Sequence, residues 1–152
     1  MKKNISIAEV EIDDLLGEDA ELVKAAREAV KLSYSPYSRF AVGAAVLLQN
    51  GKIVKGANQE KASYPVGICA ERSALATSQN LYPNEPILAI AIAAKGIDNE
   101  YVTEYVTPCG MCRQAIAETE MRYQRHIRIL MTSSTKVAIA NTISELLPMA
   151  FN

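Results

Sequence analysis

Three cysteines and a glutamate, confined to two short stretches of the chain, have the types and spacing of a metal centre. Glu71 follows Cys69 by two residues, and Cys109 and Cys112 form a Cys-x-x-Cys pair further along. Zn²⁺ binds thiolates in a tetrahedral shell, and three protein ligands leave one position open, as in catalytic zinc sites. The chain has no other cysteine, so three unrelated buried thiols are the weaker interpretation. The sequence predicts one zinc ion per chain, held by the three thiolates.

Two predicted helix starts explain how these residues meet. Cys109 and Cys112 stand at i and i+3, so one helix presents both sulfurs on the same side, and Cys69 opens another helix. The partial positive charge of helix N-termini favours the thiolate form. Because three thiolates outweigh the charge of Zn²⁺, Arg72 is predicted to hydrogen-bond the sulfurs and offset the excess. The alternative for Arg72 is an ordinary solvated cation on a helix.

Glu71 is the predicted catalytic residue. If Cys69 faces the metal and its helix is buried, Glu71 is buried too, and a buried carboxylate needs a bond or a task. The task would be to take a proton from water at the metal and deliver it to a substrate. The single histidine, His126, begins a predicted strand far from the cysteines and receives no role. As a fourth ligand it would instead indicate a structural zinc module that binds RNA or protein.

Composition excludes several classes of partner. The chain has 152 residues and a formal net charge of −1, so no basic surface favours nucleic acid. Aromatic residues make up only 6% and tryptophan is absent, which leaves little material for stacking on bases. Apolar stretches are too short for a membrane span. An odd number of cysteines in metal-like spacing, without an apolar signal segment, predicts a cytoplasmic protein.

The chain is predicted to form one α/β domain, residues 19–152, after an acidic N-terminal arm, residues 1–18. The arm alternates irregularly and allows a short edge strand. Periodicity, turn residues and proline positions predict helices from Asp19 towards Ser33, from Cys69 towards Gln79 and from Pro108 onward. Predicted strands are 41–48, 52–55, 87–94, 127–131 and 137–140.

Two local signals complete the prediction of secondary structure. Asn50-Gly51 is typical of a type I′ turn that joins the first two strands as a hairpin. Residues 142–145 have the pattern of a capping box for a short last helix, which Pro148 ends. The order of the elements implies a mixed sheet of about five strands covered by helices.

Several short motifs together resemble one enzyme family. They are Ser35-Pro36-Tyr37-Ser38-Arg39-Phe40, Val42-Gly43-Ala44, Asn58-Gln59-Glu60, Tyr64-Pro65, Cys69-Ala70-Glu71-Arg72, Pro108-Cys109-Gly110-Met111-Cys112-Arg113-Gln114 and Glu145-Leu146-Leu147-Pro148. With these motifs, roughly residues 20–151 resemble the cytidine deaminases, in their small, homotetrameric, three-cysteine branch. The resemblance implies a three-layer fold and zinc-dependent hydrolytic deamination of cytidine and 2′-deoxycytidine in pyrimidine salvage.

The resemblance also implies roles for residues that the spacing alone leaves open. Asn58 and Glu60 would bind the ribose, chiefly its 3′-hydroxyl, although by type alone they are ordinary polar loop residues. Phe40 would form the apolar wall of the pocket, and the backbone of Ala70 would hold the base. Phe151 would close over the base in a neighbouring subunit's pocket; the alternative is that it caps its own core. The nearest alternative substrate is another aminopyrimidine nucleoside such as blasticidin S.

Overall fold

The computed structural model describes residues 2–152 as a six-stranded sheet with three α-helices. The strands are β1 (Ala8–Glu11), β2 (Ala41–Leu48), β3 (Ile53–Ala57), β4 (Ile87–Lys95), β5 (Arg128–Thr132) and β6 (Lys136–Ala140). The helices are α1 (Gly17–Ala29), α2 (Ala70–Leu81) and α3 (Gly110–Tyr123). Short 3₁₀ turns cover Ile12–Asp14, Val30–Leu32, Tyr64–Val66 and Ile143–Glu145. Within these residues, no helix combines the length and the apolar character that a membrane crossing requires.

The sheet has the strand order β1-β6-β5-β4-β2-β3, in which only β4 and β5 run parallel. Side chains alternate between its two faces, as the pleat requires. Ile90 and Ile92 of β4 pack into the cluster that contains α2 and α3, whereas Ala89, Ala91 and Ala93 pack into the cluster that contains α1. The sheet is therefore the middle of three layers, and the predicted α/β fold class is confirmed.

The parallel pairing of β4 and β5 determines where α3, the helix with Cys109 and Cys112 at its start, lies on the sheet. Parallel neighbours need a crossover connection, and α3 supplies it between these two strands. β4 is the unbroken apolar run of the sequence and is buried along nearly its whole length, as expected of a strand covered on both faces. Since α2 packs on the same side of the sheet as α3, the two helices can bring their N-termini together.

Residues of the predicted N-terminal arm contribute the sixth strand, which the sequence-based count of about five omitted. β1 pairs antiparallel with β6, with Ala8 opposite Ile139 and Glu11 opposite Lys136. The short edge strand that the sequence allowed in the arm is therefore present, although its alternation is weak because only Val10 is partly shielded from solvent. The segment before β1 contacts the C-terminal region: Ser6 N donates to Glu145 Oε1 at 3.2 Å, and Lys3 Nζ donates to the Pro148 carbonyl.

Two local predictions were wrong in detail. A type I′ turn needs positive φ at both central residues, yet only Gly51 has it (84°), and Asn50 does not. The loop instead closes with a hydrogen bond from Gly51 N to Leu48 O at 2.9 Å. The predicted last helix is a 3₁₀ turn, and its glutamate, Glu145, accepts from Asn141 N at 2.8 Å rather than from the capping residue.

Two glycines of the hairpin allow the helices to approach the sheet, and this gives a test. A Cβ on Gly56 would lie 2.3 Å from Ala74 N of α2, and one on Gly43 would lie 2.3 Å from Ala26 O of α1. Backbone atoms cannot move aside cheaply, so each alanine variant should lose about 1–3 kcal/mol of unfolding free energy. We expect only Gly56→Ala, beneath the helix that carries Glu71, to speed zinc release to a chelator as well. Equal release rates in both variants would show that the seating of α2 does not control the site.

Candidate metal centre and active site

The three cysteine sulfurs form one cluster. All three lie within 4.8 Å of one another, with 3.9 Å between Cys69 Sγ and Cys109 Sγ and 3.5 Å between Cys109 Sγ and Cys112 Sγ. Tetrahedral bonds of ~2.3 Å to zinc require sulfurs about 3.8 Å apart. The distances are too long for a disulfide, and the cluster does not include His126. The donor set and its spacing therefore fit Zn²⁺ with three protein ligands.

The cluster forms where two helices begin. Cys69 and Cys109 are the residues just before α2 and α3, both with extended backbone, and Cys112 lies in the first turn of α3. The neighbouring Cys112 thiol is the main cause that lowers the pKa of the Cys69 thiol to about 5. Its interaction with Cys69, together with burial, raises the pKa of Cys112. The site thus favours an anionic sulfur even before a metal displaces the remaining protons.

Glu71 is buried beside these sulfurs. It is the second residue of α2 and only 4% exposed. Desolvation by burial raises the pKa of its carboxyl to about 7, and the negative charge on Cys69 adds to the increase. Both protonation states are therefore accessible near neutral pH, which is the property that a proton carrier needs. Glu71 does not belong to the sulfur cluster, so its carboxylate is not needed as a ligand.

Arg72 lies against the metal centre rather than free in solvent. Its side chain is half-buried, and its Nε is buried without a hydrogen-bond partner. The positive charge of the guanidinium contributes to the lowered pKa of the Cys69 thiol. A buried arginine nitrogen beside thiolates is the arrangement expected of a group that offsets excess negative charge at the metal.

Asn58 holds the backbone around Phe40. Its Oδ1 accepts from Val42 N at 2.9 Å and from Ser33 Oγ at 2.5 Å, and its Nδ2 donates to Phe40 O at 2.9 Å. Phe40 itself is 40% exposed. The amide side chain therefore fixes the segment that carries the predicted apolar wall. The sequence gives no sign of these bonds, which join residues 16 to 25 positions apart.

Glu60 organises the turn that leads into Phe40. Its Oε1 accepts from Tyr37 N at 3.0 Å and Ser38 N at 3.1 Å, and its Oε2 accepts from Ser38 Oγ at 2.5 Å. The bond from Ser38 is the main cause that lowers the pKa of the Glu60 carboxyl. An ionised carboxylate has about four acceptor positions, so one stays available on Oε2. In the sequence, Ser38 stands out only as a member of the motif Ser35-Pro36-Tyr37-Ser38-Arg39-Phe40, and nothing in that motif predicts its contact with Glu60.

The other two predicted substrate residues differ sharply in exposure. Ala70, the first residue of α2, is fully buried between the cysteine ligand Cys69 and Glu71. Phe151 is 83% exposed, so its ring does not cap the core of its own chain. The backbone of Phe151 is nevertheless fixed, because Gln114 Nε2 donates to its carbonyl at 2.8 Å. The ring is therefore exposed at the surface, while the backbone that carries it is attached to α3.

Comparisons with known proteins match the part of the chain that contains this cluster. Residues 16–126 match the family model of the cytidine and deoxycytidylate deaminase zinc-binding region. A cytidine deaminase of Halalkalibacterium halodurans is 40% identical over 138 residues, which cover 86% of this chain and 91% of the relative. The crystal structure of a cytidine deaminase from Burkholderia pseudomallei superposes with a TM-score of 0.71 at 34% identity, covering 90% of this chain and all of that one.

The chain belongs to the cytidine deaminase family. Zinc is accordingly the metal of the three-cysteine cluster, in agreement with the donor set and its spacing. The chain is also similar, at 27% identity over 135 residues, to the blasticidin-S deaminase of Bacillus cereus. The zinc-binding region of the family ends at residue 126 in this chain, so the segment that carries Phe151 lies beyond it.

Proposed function

We propose that this chain catalyses the hydrolytic deamination of cytidine and 2′-deoxycytidine, giving uridine or 2′-deoxyuridine and ammonia. The observation that carries the proposal is the burial of Glu71 against the three-sulfur cluster at the start of α2. A protonatable carboxyl beside an open metal position is the equipment that water addition to an aminopyrimidine requires. The proposed setting is pyrimidine salvage in the cytoplasm, where thiol ligands stay reduced.

Cys69, Cys109 and Cys112 would hold the zinc, whose Lewis acidity makes water a nucleophile near neutral pH. Glu71 takes one proton of the attacking water and delivers it to N3 of the pyrimidine, which makes C4 electrophilic. After the oxygen has added to C4, Glu71 carries the second proton to the amino group, which leaves as ammonia. The two protons of water end on N3 and in ammonia, and its oxygen stays on C4.

The neighbouring residues prepare this proton transfer. Burial of Glu71 excludes bulk water and keeps the pKa of its carboxyl near 7, where accepting and donating a proton are both inexpensive. Ala70, held in the first turn of α2, presents its backbone to the base. Arg72 reduces the negative charge of the sulfurs, which would otherwise oppose the ionisation of water.

The sugar is proposed to bind at Asn58 and Glu60. The acceptor position left on Glu60 Oε2 is suited to a ribose hydroxyl, most simply the 3′-hydroxyl. The bonds from Asn58 to the segment 40–42 hold Phe40 beside that position. The same two side chains would then both shape the pocket and contact the sugar.

The active site is proposed to be shared between subunits of a homotetramer. Phe151 and Met149 are each 83% exposed, and Phe40 and Met111 are also exposed. Large apolar side chains that are exposed in the isolated chain are available for burial against another subunit. We infer that the Phe151 ring covers the base in a neighbouring subunit's pocket.

A substrate panel tests this proposal. We expect kcat/KM for free cytosine to fall on the order of 10⁴-fold below that for cytidine, since a pocket that bonds a hydroxyl strongly rejects a ligand without one. Cytidine, 2′-deoxycytidine, 3′-deoxycytidine, cytosine and blasticidin S are compared by the loss of ultraviolet absorbance on deamination. Equal turnover of cytosine and cytidine would remove the sugar-binding role of Asn58 and Glu60. A preference for blasticidin S would favour the alternative substrate, and zinc-loaded protein without any turnover would favour the structural module.

A further inference from the structure

The C-terminal tail, defined as residues 146–152, is attached to α3 by two consecutive side chains. Arg113 Nη1 donates to Leu146 O at 2.8 Å, and Gln114 Nε2 donates to Phe151 O at 2.8 Å. Both residues directly follow the metal ligand Cys112 in the sequence. The two ends of the tail are thus fixed to the same helical turn that contributes to the metal centre.

Arg113 has a second contact, on the metal side. Its Nε donates to Pro108 O at 2.8 Å, and Pro108 immediately precedes the ligand Cys109. The side chain is half-buried, and within residues 2–152 it forms no ion pair with a carboxylate. Its donors are instead used on two backbone carbonyls. One guanidinium therefore joins the ligand loop to the start of the tail.

We propose that Arg113 is a positioning residue that fixes the Pro108–Cys109 ligand loop and the C-terminal tail to each other. The planar guanidinium presents its donors in a fixed fork, so the two carbonyls cannot move independently. The fixed loop keeps the Cys109 sulfur at its distance from the sulfurs of Cys69 and Cys112. The fixed tail keeps Phe151 at one position relative to α3. The tail part of this inference rests on the proposed function, in which Phe151 closes over substrate.

Replacing Arg113 by lysine tests whether its two-pronged hydrogen bonding or only its positive charge is needed. Arg113→Lys keeps a cation on a long side chain, but a single ammonium cannot reproduce the two-pronged contact. Because loss of a contact that orients metal ligands typically lowers metal affinity 10- to 100-fold, we expect zinc release to a chelator to be about 10-fold faster. We also expect KM for cytidine to rise several-fold while kcat changes less, since the proton carrier Glu71 is not touched.

Two further variants show which effect arises through the C-terminal tail and which through the ligand loop. Gln114→Ala removes the bond to Phe151 O but no contact to the ligand loop, so KM should rise while zinc release stays as in the wild type. Deleting residues 151–152 removes the tail's aromatic ring. Arg113→Lys in that truncated chain should add no further increase in KM, yet should still speed zinc release. Arg122→Lys is the matched control, because Arg122 lies on the same helix and contacts Pro83 O at 3.4 Å and the Tyr123 ring, but neither the ligand loop nor the tail.

The outcomes are distinct. If Arg113→Lys and Arg122→Lys release zinc at the same rate, the role of Arg113 at the ligand loop is overturned. If the increase in KM persists undiminished in the truncated chain, Arg113 does not act through the tail, and that part is overturned. Zinc release is measured without substrate, so it still tests Arg113 if the wild-type chain deaminates none of the compounds in the panel. Circular dichroism of each zinc-loaded variant verifies folding, and Gln114→Ala tests the tail attachment should Arg113→Lys not fold.

Discussion

Replacing Glu71 by glutamine is expected to lower kcat for cytidine by about 10²- to 10⁴-fold, or more because one group serves several steps, with zinc still bound. The amide keeps nearly the shape of the carboxylic acid but cannot accept and return a proton. The buried position of Glu71, 4% exposed and outside the sulfur cluster, means that the change should affect proton transfer and not metal binding. Stopped-time assays of uridine formation and metal analysis of the same sample provide the measurement.

Glu21→Gln is the control for the loss of a carboxylate, because Glu21 is exposed on α1, which packs on the other face of the sheet from α2 and α3. It should leave kcat and zinc content unchanged. If Glu71→Gln kept near-normal turnover with zinc in place, the proton carrier would have to be another residue. If it lost zinc, the carboxylate would be holding the metal and the ligand assignment would need revision.

The second large effect is expected at Cys109. Its side chain is exposed whereas Cys112 is fully buried, so Cys109→Ser removes a soft ligand with little loss of packing. The variant should bind zinc far more weakly, since hydroxyl oxygen is a poor substitute for thiolate. Because the ligands join α2 to α3, binding of zinc contributes to folding stability in the wild type. Thermal unfolding should show a higher Tm for zinc-loaded than for metal-free wild type, and no such difference for Cys109→Ser.

Metal-free wild type, prepared with a chelator, is the reference for this comparison. Its Tm should match that of Cys109→Ser within a few degrees, which would show that the substitution acts through the metal. Full zinc occupancy of Cys109→Ser by atomic absorption would contradict the three-cysteine assignment.

The parts of the fold that could be predicted from the sequence are those with a strong local signal. The unbroken apolar run of β4 and the proline before the third helix predicted elements that the structure contains, with their ends shifted by one or two residues. The spacing of Cys109 and Cys112 also predicted that both sulfurs share one side of a helix, and all three cysteines do meet. Metal ligands are limited to few residue types and spacings, so this part of the site could be predicted from the sequence.

The contacts that complete the site were not predictable in this way. The bonds that Tyr37 and Ser38 donate to Glu60, and that Arg113 donates to Leu146, join segments that are 22 to 33 residues apart. Such bonds depend on where the sheet and helices bring the loops together and leave no periodic pattern. The sequence allowed a short edge strand in the N-terminal arm but did not determine it, because the stability of β1 comes from pairing with β6, over 120 residues away, rather than from its own four residues.

The most direct test of the central claim is to incubate the zinc-loaded chain with cytidine in ¹⁸O-labelled water. The account predicts uridine and ammonia in equal amounts, with the label on the oxygen at C4 and none in the ribose, and almost no product from zinc-loaded Glu71→Gln. Cytidine that stays unchanged in the presence of fully zinc-loaded wild-type protein, or uridine that forms equally well with Glu71→Gln, would contradict it.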